Sequence, residues 1–344
     1  MKIIAKTFLI ISVGIIVFIS FLGFKIFFKS NTSFDADFVY LFVKSGASSD
    51  DVINSISNYI IDVETFIKAA KTKKYLENIK AGRYLLNRGD SNNIIINSLR
   101  SKNMPLKVTF NNIQTIQELS GYISKKIEAD SISLINSFTE IDFLKSLNLT
   151  NDSVLSLFLP NTYEFFWNTS ASQFRKKMIK EFNIYWNENR IKKASNIGLN
   201  PIEVSVLASI VQKETPKVDE RPTIAGVYLN RLKKGMKLQA DPTIVYCIKQ
   251  KEGFDKIIKR VLYKDLRIKS KYNTYLNKGL PPGPIVTSDF SSIEAVLNPS
   301  SHNFIYFVAD VSNPGYHLFS KTLAEHNRKK RSYTKWLKEK KIIR

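Results

Sequence analysis

Residues 200–215 read NPIEVSVLASIVQKET, and the rest of the chain is organised around them. Asn200 supplies an N-cap, Pro201 suits the first helical position, and Glu203 completes a capping box with Asn200. Thr215 precedes Pro216, which biases it away from helical angles, so the spacing predicts a helix ending near Glu214. On a 3.6-residue period Glu214 shares a face with Leu207, Ile210 and Val211. A carboxylate that closes an apolar stripe breaks binary patterning, and such breaks concentrate at functional or strained sites. Partial burial and the negative end of the helix dipole both disfavour the ionised form and raise its pKa, while Lys213 and Lys217 oppose that rise. The residues alone leave two readings of Glu214: a catalytic acid, or one half of a surface ion pair with either lysine.

The next segments supply the surroundings. Arg221 and Pro222 open a second helix that runs through Lys234 and is closed by Gly235. Val227, Tyr228 and Leu232 form its core face, and Asn230 is a candidate to turn toward the site. Gln239, Asp241 and Thr243 fall on the following turn and extended segment, where turn capping around Asp241-Pro242 is the competing role. Tyr272, Asn273, Thr274 and Tyr275 offer aromatic faces and amides suited to sugar rings. Leu280-Pro281-Pro282-Gly283-Pro284 is stiff and poor in backbone donors, so it can wall a groove or simply pack. Thr322 and Glu325 form a capping box for the last helix.

Composition narrows the chemistry. Among 344 residues, 52 Lys+Arg face 30 Asp+Glu, a net charge of +22, so an anionic partner is expected. With 44% hydrophobic residues the chain can build a real core. One cysteine, Cys247, and three histidines argue against thiolate or histidine metal centres, leaving carboxylates, hydroxyls, amides and lysines. His317 and His326 are expected in buried hydrogen-bonding roles. No metal or cofactor is expected.

The N-terminus sets the location. Phe8–Phe24 is uncharged, and extension past Lys25 to Phe28 reaches about the 20 residues that span a bilayer. Large residues such as Phe24, Phe27 and Phe28 occupy the zone where a cleavage site would lie, so a retained anchor is expected. Residues 1–30 are thus read as cytoplasmic tip and span. If the remainder is extracytoplasmic, nucleic acid is not the partner.

Residues 31–106 read as a small module. Leu41-Phe42-Val43, Gly46, Ser48 and Val52–Ile56 recur as Tyr84-Leu85-Leu86, Gly89, Ser91 and Ile95–Leu99. Each copy predicts a strand, a glycine turn and a Ser-capped helix. A strand-turn-helix module of this size resembles LysM domains, which bind glycan. Residues 107–344 form the larger α+β region, with its core at about 155–344. There Val108–Phe110 reads as a strand, and Gln114–Ile127 and Ser131–Leu147 as helical. Leu157–Trp167 reads as a packed aromatic loop, and Gln173–Lys193 as one helix.

A family resemblance sharpens the reading of Glu214. ASIVQKET (208–215), ERPTIAGVYLNRLKKGMKLQADPTIVY (220–246), YNTYLNKGLPPGPI (272–285), YFVAD (306–310), His317-x-Phe319 and Glu325-His326-Asn327 occur in one order. Together they resemble the endolytic murein transglycosylase family, the YceG-like proteins. The resemblance implies a membrane-anchored α+β lytic transglycosylase that cuts the MurNAc–GlcNAc bond of nascent peptidoglycan and leaves 1,6-anhydro-MurNAc ends. Such an enzyme would terminate glycan elongation at the bacterial cell membrane, inner membrane where there are two, with its catalytic domain outside the cytoplasm. Glycan strands, the membrane and peptidoglycan synthases are the partners this implies. The Glu of the K-E-T triplet, here Glu214, is the family's catalytic acid, and Gln239, Asp241 and Thr243 match its polar motif positions. Many members carry Glu where this chain has Gln212. The rival function is a non-catalytic, glycan-binding scaffold of the wall-synthesis machinery, which loss of the acid at 214 would favour.

Overall fold

The apolar N-terminus folds as α1 (Lys2–Phe27), and its stretch Ile3–Phe27 is long and apolar enough to cross a membrane. The computed structural model of the protein describes residues 2–258 and 260–339. They divide into two units, and two chain segments of the larger sequence region, Lys125–Ala129 and Tyr163–Ser170, belong with the N-terminal one.

In the N-terminal unit α1 is followed by β1 (Phe38–Val43), α2 (Ser49–Ser57), α3 (Val63–Thr72), β2 (Gly82–Asn87) and α4 (Asn92–Ser101). The two strands pair antiparallel, Phe38 opposite Asn87 and Val43 opposite Gly82. Both copies of the repeat are visible: each strand leads through a left-handed glycine, Gly46 at φ 74° or Gly89 at φ 87°, into a helix. These angles require glycine at little steric cost. The caps differ, however. Ser48 makes a full capping box with Asp51, whereas Ser91 makes no side-chain cap bond. The helix α3, capped by Asp62, stands between the copies. Leu41, Ile56, Phe66, Tyr84, Leu86, Ile95 and Leu99 form the core, and Ile26 and Phe27 at the end of α1 pack against it. Asn92 fixes the same junction by donating to the Ile26 carbonyl at 2.8 Å.

The chain continues through β3 (Pro105–Phe110), α5 (Ile116–Ile123), α6 (Ser131–Thr139), α7 (Ile141–Ser146) and β4 (Asn161–Phe166). Pairing of β3 with β4 corrects the expectation of a loop over Leu157–Trp167. Pro160 precedes the strand instead of interrupting it, and Tyr163 and Phe165 alternate inward in the period of a half-buried strand. The single helix expected over Gln173–Lys193 is two, α8 (Ala171–Tyr185) and α9 (Glu188–Asn196). Asn187 breaks it by capping α9, accepting from the Arg190 backbone at 3.0 Å.

The remaining elements are α10 (Pro201–Glu214), α11 (Arg221–Lys233), α12 (Asp241–Glu252), α13 (Phe290–Leu297), β5 (Tyr306–Ala309), β6 (His317–Ser320) and α14 (Leu323–Glu339). The strands β5 and β6 are antiparallel, Tyr306 facing Ser320. The architecture is α+β, with α10 as the axis of the larger unit. Every side chain from Val204 to Val211 is buried, which explains why the segment is apolar on more than one face. Its capping box forms as the residues predict, Asn200 accepting from Glu203 and Glu203 from Asn200 at 3.0 and 2.9 Å. Asp241 to Thr243, expected to be extended, instead open α12, because Pro242 fits the first helical turn.

Candidate active site

The last residue of α10 delivers the carboxyl group. Glu214 ends the helix, and Thr215, in extended conformation, turns the chain away toward Pro216. The side chain lines a cavity of about 460 Å³ in the larger unit, together with Gln114, Lys213, Asp241, Tyr246 and Lys249. Among the described residues no group of three or more His, Cys, Asp or Glu is placed to hold a metal ion.

Tyr228 of α11 donates its hydroxyl to Glu214 Oε1. The phenol is fully buried and packs edge-on to Phe307, ring centroids 5.8 Å apart. Burial pushes the Glu214 carboxyl up to about 8, with the charge of Asp241 acting in the same direction. The Tyr228 hydrogen bond and the Arg231 guanidinium pull it down without prevailing. The counterweights are thus Tyr228 and Arg231, and not the Lys213 and Lys217 named from the sequence. Burial, and then the Glu214 charge, hold the Tyr228 hydroxyl well above its ordinary range, so it remains a donor. A proton-bearing carboxyl at neutral pH is the requirement for a general acid.

Arg231, one turn beyond Tyr228, braces the loop that follows. It donates to the Ile305 carbonyl at 2.6 Å and to the Leu238 carbonyl at 2.7 Å. It also reaches Gln239 Oε1 at 3.3 Å. Gln239 sits at φ 51°, a left-handed conformation that costs a non-glycine residue free energy and persists only when neighbours over-determine it. Those neighbours are visible: the Gln239 N–H donates to the Thr274 carbonyl, and the Ala240 N–H to Thr274 Oγ1. Thr243 and Thr274 share a hydroxyl contact of 2.9 Å. The motifs 239–243 and 272–275 are therefore one clasp that fixes the N-terminus of α12 and holds Asp241 beside the cavity.

The residues singled out from sequence separate accordingly. Asp241 lines the cavity and accepts from the Tyr275 hydroxyl at 2.5 Å. Thr243 and Thr274 are buried within the clasp. Asn273 is fully buried; its amide donates to the Leu266 and Ile268 carbonyls. Tyr272 is buried against Tyr246 and donates to Asp152 Oδ1 at 3.2 Å. Asn230 does not turn to the cavity: its amide donates to the carbonyls of His302 and Phe304 at 2.8 and 3.0 Å. Gln212 spans Asn112 and the Asp289 backbone N–H, which ties α10 to the start of α13.

The proline-rich segment is anchored along the same helix. The Ile285 N–H donates to Ser209 Oγ at 3.1 Å, and Ser288 donates to the Ser205 carbonyl at 2.6 Å. His317 binds buried Glu220 through both its backbone N–H and Nδ1. His326 departs from expectation, since among the described residues its buried Nδ1 has no hydrogen-bond partner, while the ring stacks on Tyr306. Sequence reasoning missed Tyr228 as a site residue because a tyrosine on a core face reads as packing. Its available signal was a hydroxyl that any fully buried position must satisfy.

Comparison with known proteins gives the family. Residues 41–332 match the YceG-like family. An endolytic murein transglycosylase of Bacillus subtilis (strain 168) is 31% identical over 309 residues, spanning 85% of this chain and 83% of its own. One from Streptococcus pneumoniae (strain ATCC BAA-255 / R6) is 28% identical over 75% of this chain, which spans about half, 51%, of that relative. The crystal structure of a yceG-like protein from Listeria monocytogenes superposes with a TM-score of 0.56 at 28% identity, covering 85% of this chain and 98% of that one.

Proposed function

The chain belongs to the YceG-like family, and from that premise we propose that it is an endolytic peptidoglycan lytic transglycosylase with Glu214 as its catalytic acid. The observation that carries the reading is the carboxyl of Glu214, held protonated near neutral pH at the wall of a cavity by burial and oriented by Tyr228.

Glycosidases commonly employ two carboxyl groups, one as acid and one as base or nucleophile. A lytic transglycosylase needs one, because the C6 hydroxyl of the muramoyl sugar is the nucleophile. Glu214 gives its proton to the glycosidic oxygen as that bond to the anomeric carbon breaks. The resulting carboxylate takes the proton of the C6 hydroxyl as its oxygen bonds to the anomeric carbon, closing the 1,6-anhydro ring and regenerating the acid. A pKa near neutrality serves both halves, and the intramolecular nucleophile replaces a positioned water. Tyr228 and Arg231 offset the charge on Glu214 between the two proton transfers. Asp241 stands at the cavity for sugar contacts, with Tyr275 donating to it and Gln239 in the turn before it, while Thr243, Tyr272, Asn273, Thr274 and Asn230 shape the surrounding structure.

The same proposal places residues 1–30 as a single-pass anchor in the bacterial cell membrane and residues 107–344 as an extracytoplasmic catalytic region. Residues 31–106 form a LysM-like module, a reading supported by its strand-helix-helix-strand order and antiparallel strand pair. Cleavage next to the membrane would end elongating strands alongside the synthases that make them. The Glu214→Gln protein tests the central part: it keeps the shape of the acid and should lose about 10²–10⁴-fold in glycan-strand cleavage. Undiminished cleavage would refute the assignment.

A further inference from the structure

The acid lies beside two cations that no acid neutralises. Lys213, next to Glu214 on α10, and Lys249 of α12 line the same cavity, and among the described residues neither takes part in an ion pair. Lys249 spends its ammonium on neutral oxygens, Gln114 Oε1 at 3.3 Å and the Phe254 carbonyl at 3.2 Å. Burial, and then the charge of Lys249, push the Lys213 ammonium below its ordinary range.

The acids whose fields reach Lys213 are Glu118 and Asp289, and both are committed elsewhere. Glu118 accepts from the Gln114 backbone at 2.7 Å. Asp289 pairs with Arg221 at 3.0 Å and caps α13. Asp241, across the cavity, accepts from Tyr275. Two like charges brought to the wall of one cavity repel, and an anion between them relieves that cost. That cost, carried in the wall of a cavity, marks a site completed by its ligand.

Resting on the transglycosylase reading of the same cavity, we propose that Lys213 and Lys249 form an anion subsite for the carboxylate of the muramoyl residue at the scissile bond. That carboxylate is either the lactyl group's own, where the peptide stem has been removed, or the first free carboxylate of the stem. Binding it serves the chemistry as well as the affinity. An anion between the lysines relieves their mutual repulsion and seats the muramoyl residue beside Glu214. Neutral glycans leave the lysines uncompensated and are poorer substrates.

The test uses full-length protein in detergent and uncross-linked glycan strands in three forms: with native stems, with stem carboxylates amidated chemically, and with stems removed to leave lactyl carboxylates. Wild type should cleave native strands with about tenfold higher kcat/KM than amidated strands, the worth of one charge-assisted hydrogen bond, expressed in KM. In Lys213→Met that ratio should collapse toward one, and Lys213→Arg should restore it. Stripped strands that retain the advantage show that the lactyl carboxylate takes the place of the stem's once the stem is gone, and stripped strands that lose it confine the subsite to the stem carboxylate. Equal cleavage of native and amidated strands by wild type, or an unchanged ratio in Lys213→Met, would overturn the subsite while leaving the activity in place. A wild-type protein that cleaves none of the three would instead overturn the activity, and the subsite with it.

Discussion

Replacing Tyr228 by Phe removes one oxygen and should move the working pH of the site in a direction the structure dictates. The Tyr228 hydroxyl donates to Glu214 Oε1 and favours the ionised carboxyl, against a burial effect that has lifted it to about 8. A hydrogen bond to a charged group contributes about 1.5–3 kcal/mol, and about 1.4 kcal/mol equals one pKa unit, so its loss should raise the Glu214 pKa by roughly one to two units. The proposed mechanism requires the protonated acid. The alkaline limb of the kcat/KM profile should therefore shift upward by that amount, while kcat at neutral pH falls because a weaker acid transfers its proton less readily. Phe fills the same buried space and keeps the edge-on contact with Phe307, so folding is little affected. The assay is cleavage of glycan strands across about pH 6 to 10, a range that brackets the alkaline limb. An unmoved limb, or a shift toward acid, would show that the hydroxyl does not stabilise the carboxylate of Glu214.

Glu214→Gln should change stability as well as rate. Because the folded pKa, about 8, lies above the ordinary value of 4.5, protonation favours the folded wild type at low pH and that contribution fades as pH rises through 8. Urea denaturation should thus find the variant gaining on wild type between those pH values, by at most about 1.4 kcal/mol per unit; a constant difference would contradict the raised pKa. Gly283→Ala probes the proline-rich wall, since an added Cβ would lie 1.9 Å from the Asp152 carbonyl oxygen. It should cost about 1–3 kcal/mol or more in the same measurement, and an unchanged midpoint would show that the wall yields freely. A reporter fused after Arg344 should be active only outside the cytoplasm, and activity confined to the inside would remove the substrate from reach.

Local chemistry made much of this legible. Asn200, Pro201 and Glu203 set the start of α10, and Pro216 its end, because capping and proline sterics act within a few residues. The glycine turns at Gly46 and Gly89 marked the duplicated strand-turn-helix for the same reason. What stayed hidden depends on partners far along the chain. The strand β4 pairs with β3, separated from it by three α-helices and a short 3-10 turn, and aromatic residues on both faces masked its alternation. The apolar stripe of α8 runs up to Trp186, so nothing in periodicity announced the break that Asn187 makes. Asn230 and Asn273 look like sugar donors in sequence, yet their amides satisfy carbonyls that only the folded chain brings near. Glu214 was legible as an anomaly in a stripe; its partner Tyr228 was not, since its ring belongs to the core and only its hydroxyl belongs to the site.

In the proposed reaction one carboxyl group suffices because the sugar supplies its own nucleophile. The most direct test is cleavage of glycan strands in water enriched in heavy oxygen, with the new ends identified by mass. The expected products are anhydro ends that carry no solvent oxygen, absent with Glu214→Gln. Reducing ends carrying solvent oxygen would contradict the proposed reaction, making the protein a hydrolase that requires a second carboxylate, with Asp241 the first to examine.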